Sequence, residues 1–250
     1  MAEVIKDGLQ TIDDEVYSFL LIGQSNMAGR GELSDMEPIQ NPSCLMLRMG
    51  RWQKMSEPIN PDRKLFGKTK SGASLGASFA NYLAESTEKR IGLIPCADGG
   101  TRLSQWMPGE ILYDHAVMMT RLAMRTSRLA GILWHQGESD CHEQALVDSY
   151  KERFLTMITS MRRDLGAENV PIIIGELSHV IDVEALGRKA RFAQMNRNFH
   201  EIAKELPLCR VVSSEGFTLK EDNLHFDTRS LREFGLRYAK AYEELSIIGK

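Results

Sequence analysis

Short runs of β-branched and aliphatic residues recur along this chain with amphipathic stretches between them, and that alternation constrains the fold more than any single motif. The runs are Val16 to Ile22, Ile91 to Ala97, Ala130 to His135, Val170 to Leu177 and Cys209 to Ser213. Near-continuous apolar runs of this length predict strands buried on both faces, the environment a parallel sheet provides. Apolar residues at helical spacing fill Ser74 to Glu88, Ile111 to Ser127, Glu143 to Leu165, Glu184 to Leu206 and Ser230 to Leu245. The alternation predicts an α/β fold with a doubly wound parallel sheet. Turn residues from Pro38 to Pro61 surround a further strand, Cys44 to Met49, in a long insertion where substrate-shaping loops are expected. With no internal repeat, low-complexity tract or linker, residues 1–250 read as a single domain with 1–15 as an N-terminal extension.

Charge and composition narrow the function classes. Lys and Arg total 31 against 34 Asp and Glu, a formal charge of −3 that leaves no basic footprint for nucleic acid. At 42% hydrophobic and 26% charged residues, the chain is too apolar for disorder. Its apolar runs, such as Phe19 to Ile22 and Ile172 to Ile174, fall far short of the roughly 18 residues of a membrane span. Met1 to Glu15 has no central apolar stretch of the kind a secretory signal carries. Cys44, Cys96, Cys141 and Cys209 form no CxxC pair and read as reduced, buried thiols. The expectation is a cytoplasmic protein without a nucleic acid or membrane partner.

Ligands of an open parallel sheet bind beyond the carboxyl ends of its strands. The first strand is followed by Gly23-Gln24-Ser25-Asn26-Met27-Ala28-Gly29, the second by Asp98-Gly99-Gly100-Thr101, the third by Gln136-Gly137-Glu138-Ser139-Asp140, and the fifth leads to Asp222-Asn223-Leu224-His225. One sheet edge therefore receives a hydroxyl, flexible backbone donors, amides, carboxylates and an imidazole, the parts an acyl-transfer site needs. Ser25 reads either as a helix cap or as a nucleophile. Asp222 and His225, three residues apart, suit a base and the acid that orients it, or else a surface turn. A glycine of the Gly99–Gly100 pair and the Gln136 amide are candidate oxyanion donors. Glu138 is the alternative acid, or a support for the loop around Gln136.

Other chemistries fit less well. Met27 replaces the second glycine of a G-x-S-x-G elbow. Gly23 to Gly29 has neither G-x-G-x-x-G nor a G-K-[ST] ending. His135, Glu138, Asp140, Cys141 and His142 crowd together without metal-ligand spacing, so no metal and no cofactor are expected. His115, His179 and His200 stand alone and read as structural or solvated.

Taken together, the blocks Ile22 to Gly31, Ile94 to Trp106, Trp134 to Asp140 and Asp222 to Phe226 resemble the SGNH hydrolases, and within them the sialate O-acetylesterase and acetylxylan esterase group, carbohydrate esterase family 6. The resemblance spans roughly residues 17 to 240. It implies a three-layer α/β/α sandwich with a flavodoxin-like, five-stranded parallel sheet and a triad of Ser25, Asp222 and His225. It also implies an oxyanion hole from the Ser25 N–H, a glycine N–H, with Gly100 preferred, and Gln136. Gln24, Asn26, Gly99, Thr101, Arg102 and Trp106 are the further substrate-binding candidates, with Trp106 and Arg102 read as a platform and edge for a sugar ring or, for Trp106, as packing. The implied activity is cofactor-free removal of O-acetyl groups from an acetylated carbohydrate. The alternatives are an esterase or thioesterase for other small acyl esters, and a noncatalytic carbohydrate-binding protein.

Overall fold

The computed structural model describes residues 16–61, 70–180 and 191–245. In chain order its elements are β1 (Val16–Gly23), α1 (Ser25–Ala28), β2 (Cys44–Arg48), β3 (Arg51–Lys54), α2 (Leu75–Thr87), β4 (Arg90–Pro95), α3 (Ile111–Ala123), β5 (Arg128–His135), α4 (Gln144–Asp148), α5 (Tyr150–Leu165), β6 (Ile172–Gly175), α6 (Phe192–Glu205), β7 (Cys209–Val212) and α7 (Thr228–Leu245). The seven strands form one sheet in the order β3-β2-β4-β1-β5-β6-β7. All neighbours pair in parallel except β2 with β3. The five expected strands are present in flavodoxin-like order, and the Cys44 strand joins them in parallel through its pairing with β4.

Two expectations change. The sheet has seven strands rather than five, because β2 turns back through Met49 and Gly50 into an antiparallel edge strand. The short polar run Arg51–Lys54 gives no period-2 apolar signal, since three of its four residues are exposed. The stretch from Glu143 to Leu165 divides into α4 and α5 at Ser149. The expected N-terminal extension and the beginning of the Glu184 to Leu206 helix lie outside the described residues.

Strand alternation divides the core into two halves. Leu20 and Ile22 of β1 point into one cluster with Tyr113 of α3, Phe154 of α5 and Phe199 of α6. Phe19 and Leu21 point the other way, against Phe79 of α2 and Phe234 of α7. Helices therefore cover both faces of the sheet, which explains why its strands are apolar throughout. The order in which strands are added reverses at β1, with β4 on one side and β5 on the other, so the crevice at their carboxyl ends is the place where a ligand is received. Among the described residues no helix is long and apolar enough to cross a membrane.

Candidate active site

Gly23 ends β1 at φ +131°, and a Cβ there would lie 2.1 Å from the His135 carbonyl oxygen. Only glycine permits this approach, and it lets the Gln24 N–H bond the same carbonyl at 2.8 Å. The next residue, Ser25, begins the single turn α1 and is 6% exposed. Its N–H makes no hydrogen bond to a described residue.

The last block reaches Ser25 through a tight turn. Asp222 Oδ1 accepts from the N–H groups of Leu224 and His225, both at 2.9 Å, and Asn223 takes the left-handed conformation this turn requires. His225 Nδ1 lies 2.6 Å from Asp222 Oδ2, and His225 Nε2 lies 2.8 Å from Ser25 Oγ. With Nδ1–H donating to the carboxylate, Nε2 is left to accept from the serine hydroxyl. Partial burial raises the Asp222 carboxyl, but the hydrogen bonds from the His225 backbone and side chain and from Leu224 outweigh it, leaving the group below the ordinary aspartate range.

Glu138 is placed elsewhere. Its Oε1 accepts from Asn26 Nδ2 at 2.8 Å and lies 3.3 Å from His135 Nε2. That second contact is one of proximity, because neither ring nitrogen of the fully buried His135 has hydrogen-bond geometry to a partner. Burial raises the Glu138 carboxyl, but the neighbouring imidazole and the Asn26 amide hold it below the ordinary range. Asn26 is thus a buried brace rather than a residue on the crevice surface, since its Oδ1 also accepts from Phe226 N–H at 3.1 Å.

The expected oxyanion role of Gln136 does not survive its packing. The residue is fully buried, and its Nε2 donates to Asp140 Oδ2 at 2.7 Å and Thr101 O at 3.0 Å, with Gln24 Oε1 beside it at 3.3 Å. Tyr150 O–H donates to its Oε1 at 2.8 Å. The amide beside Ser25 with a donor to offer is Gln24. Its Oε1 faces Gln136 Nε2 and the N–H groups of Gly137 and Ser139, whereas its Nε2 bonds no described residue. A carbonyl oxygen held by three donors turns the NH₂ end away from them. Asp140 comes from the same loop, four residues on, whereas Thr101 O and Tyr150 reach Gln136 from separate segments and carry no local sequence signal.

Of the two glycines, Gly99 makes the closer approach. A Cβ on it would stand 2.6 Å from Arg30 Nη2 and 3.6 Å from Ser25 Cβ, whereas Gly100, at φ +76°, has nothing within 4 Å of that position. Thr101 is buried and donates to Asp98 O at 2.8 Å. Of its two readings Trp106 takes packing: its indole is fully buried, packs edge-on to Trp134 and donates to Thr101 Oγ1, so it is core and no sugar platform. Arg102 is partly exposed and pairs with Glu143 at 2.9 Å. The four cysteines are free and buried, and burial pushes the thiols of Cys44, Cys96 and Cys209 up to about 12. Among the described residues, no three His, Cys, Asp or Glu side chains are disposed to hold a metal ion.

Residues 15–244 match the family model described as carbohydrate esterase, sialic acid-specific acetylesterase. The chain belongs to this family. It is an ester hydrolase of the carbohydrate esterase type, built on the SGNH hydrolase fold. It is 33% identical over 246 residues to a probable carbohydrate esterase of Arabidopsis thaliana, covering 90% of this chain and 89% of that one. The crystal structure of that Arabidopsis protein superposes with a TM-score of 0.80 at 29% identity, over 92% of this chain and 98% of the other. An acetylxylan esterase from Geobacillus stearothermophilus shares the fold at a TM-score of 0.54 and 13% identity, over 94% and 95% of the two chains.

Proposed function

We propose that the protein is a serine esterase that removes O-acetyl groups from a carbohydrate through an acetyl-enzyme on Ser25. The observation that carries this reading is the continuous line from Ser25 Oγ through His225 to Asp222, at 2.8 and 2.6 Å. Ser25 Oγ attacks the acetyl carbonyl while His225 Nε2 takes its proton, and Asp222 holds the imidazole tautomer and balances the imidazolium. The tetrahedral oxyanion is received by the Ser25 N–H, an N–H of the Gly99–Gly100 pair and the Nε2 of Gln24. As the ester C–O bond breaks, His225 returns the proton to the departing sugar oxygen. Water deprotonated by the same imidazole then attacks the acetyl-enzyme, and acetate leaves as the proton passes back to Ser25.

The reading calls for no cofactor and no nucleic acid or membrane partner. A cytoplasmic setting is part of it, supported by the free, buried cysteines. The test is acetate release from acetylated xylo-oligosaccharides, acetylated sialic acid and an aryl acetate, with Ser25→Ala as the control. Release that the variant abolishes upholds the reading and ranks the leaving groups. Release that persists in Ser25→Ala, or its absence from every ester with the unaltered chain, overturns it.

A further inference from the structure

A cleft of about 180 Å³ opens beside the nucleophile, lined in part by Arg30, Asn60, Asp98, Gly99, Leu112 and His115. Gly99 links it to the chemistry, because the point where its Cβ would stand is 3.6 Å from Ser25 Cβ. At roughly 30 Å³ per water the cleft has room for about six waters. That is less than the approximately 300 Å³ at which pockets for larger ligands begin, and it matches one six-membered ring rather than an extended chain.

The walls suit such a ring. Arg30, Asp98 and Asn60 bring charged and amide side chains to the lining of the cleft from three separate segments, with the Asn60 amide held in place by the carbonyl of Ala97 at 3.0 Å. Leu112 and His115 lie three residues apart on α3 and line the cleft from one helix face. Leu112 offers an apolar surface for the C–H side of a ring. His115 is exposed and makes no hydrogen bond to a described residue, so its ring nitrogens are open to a hydroxyl.

We propose that this cleft is the leaving-group subsite and holds the single pyranose ring that carries the ester, with Leu112 and His115 as specificity-determining residues. The proposal rests on the reading of Ser25 as nucleophile. It orients the substrate, since a ring seated beyond Gly99 presents its ester to Ser25 and its departing oxygen to the same crevice.

The test compares kcat/KM for an acetylated monosaccharide, for ethyl acetate and for ethyl butyrate in the unaltered chain, Leu112→Trp and His115→Ala. Ethyl acetate has a leaving group too small to need the cleft, and ethyl butyrate enlarges only the acyl side. Filling the cleft in Leu112→Trp is expected to lower kcat/KM for the sugar ester on the order of tenfold or more, chiefly through KM. Losing one hydrogen bond in His115→Ala is expected to raise KM for the sugar ester about 2- to 10-fold. Both ethyl esters should stay within about twofold in either variant. If Leu112→Trp fails to fold, the surface variant His115→Ala carries the test alone. Equal losses on all three esters, no loss on any, or a selective loss of ethyl butyrate would each overturn the subsite. Those outcomes leave the esterase reading intact provided ethyl acetate hydrolysis depends on Ser25. If Ser25→Ala leaves hydrolysis unchanged, the esterase reading falls and the subsite with it.

Discussion

Asn26 and Glu138 are 112 residues apart in sequence and meet at 2.8 Å beneath the site. Because Asn26 also accepts from the Phe226 N–H, this buried pair ties the turn carrying His225 to the end of β5. Removing the Asn26 amide leaves a buried carboxylate oxygen without its donor, a loss of about 1.5–3 kcal/mol. Asn26→Ala is therefore expected to lower Tm by roughly 3–12 °C and to lower kcat more than it raises KM. Thermal unfolding and steady-state kinetics on one preparation check both.

Replacing Asp222 by Asn removes the acid that fixes the imidazole tautomer while leaving the fold, since the Asp222 side chain is 45% exposed. Turnover should fall about 10³- to 10⁴-fold with little change in Tm. Glu138→Gln alters the buried brace formed with Asn26 and His135 and should cost far less activity. The opposite ranking of the two variants would assign the acid role to Glu138.

The two glutamines should separate cleanly. Under the proposed mechanism Gln24→Ala deletes an oxyanion donor, and kcat is expected to drop on the order of 10²–10³ with a small change in KM. Gln136→Ala removes the 2.8 Å acceptor of Tyr150 O–H and one of the two donors to Asp140 Oδ2 in the interior, so its main effect is on stability, with Tm falling well before kcat approaches the Gln24→Ala value. Equal kinetic damage from both would return Gln136 to the oxyanion hole.

Acid should silence the enzyme by protonating His225, because a protonated imidazole cannot take the Ser25 proton. The acid limb of kcat/KM is expected to report one proton. Asp222, held below the usual carboxylate range, stays ionised through that limb. A pH-independent kcat/KM through the acid range would exclude His225 as the base.

Stability has its own acid dependence at Glu176, which lies 2.7 Å from both His179 Nε2 and His200 Nε2. Burial raises this carboxyl, but hydrogen bonds from the two histidines and Ser213 outweigh it, so it lies below the ordinary glutamate range. A carboxyl depressed on folding adds stability above its unfolded value, about 4.3, and the gain disappears as pH falls through the folded value. Glu176→Gln should thus lower Tm at pH 7 by roughly 3–12 °C, with the gap closing toward pH 3. A gap that is constant from pH 7 to pH 3 would show that the carboxylate charge contributes nothing.

Features set by neighbours along the chain could be read before any coordinates. The alternation of buried strands and amphipathic helices follows from side-chain periodicity, and the Asp222 to His225 spacing limits how a single turn can join acid to base. Both are short-range consequences of backbone geometry, and the observed turn agrees with them. Other assignments depended on groups far apart in sequence competing for the same interior space. Gln24 and Gln136 are chemically identical amides, and the arrival of Thr101 O and Tyr150 around one of them, beside the Asp140 of its own loop, settles which nitrogen is already engaged. Trp106 carries the same indole whether it stacks on a sugar or packs on Trp134, and its burial required the α3 and α5 side of the sheet to be assembled. A buried polar group must find its partners wherever the packed chain supplies them; that demand is satisfied across the tertiary structure, beyond the reach of local spacing.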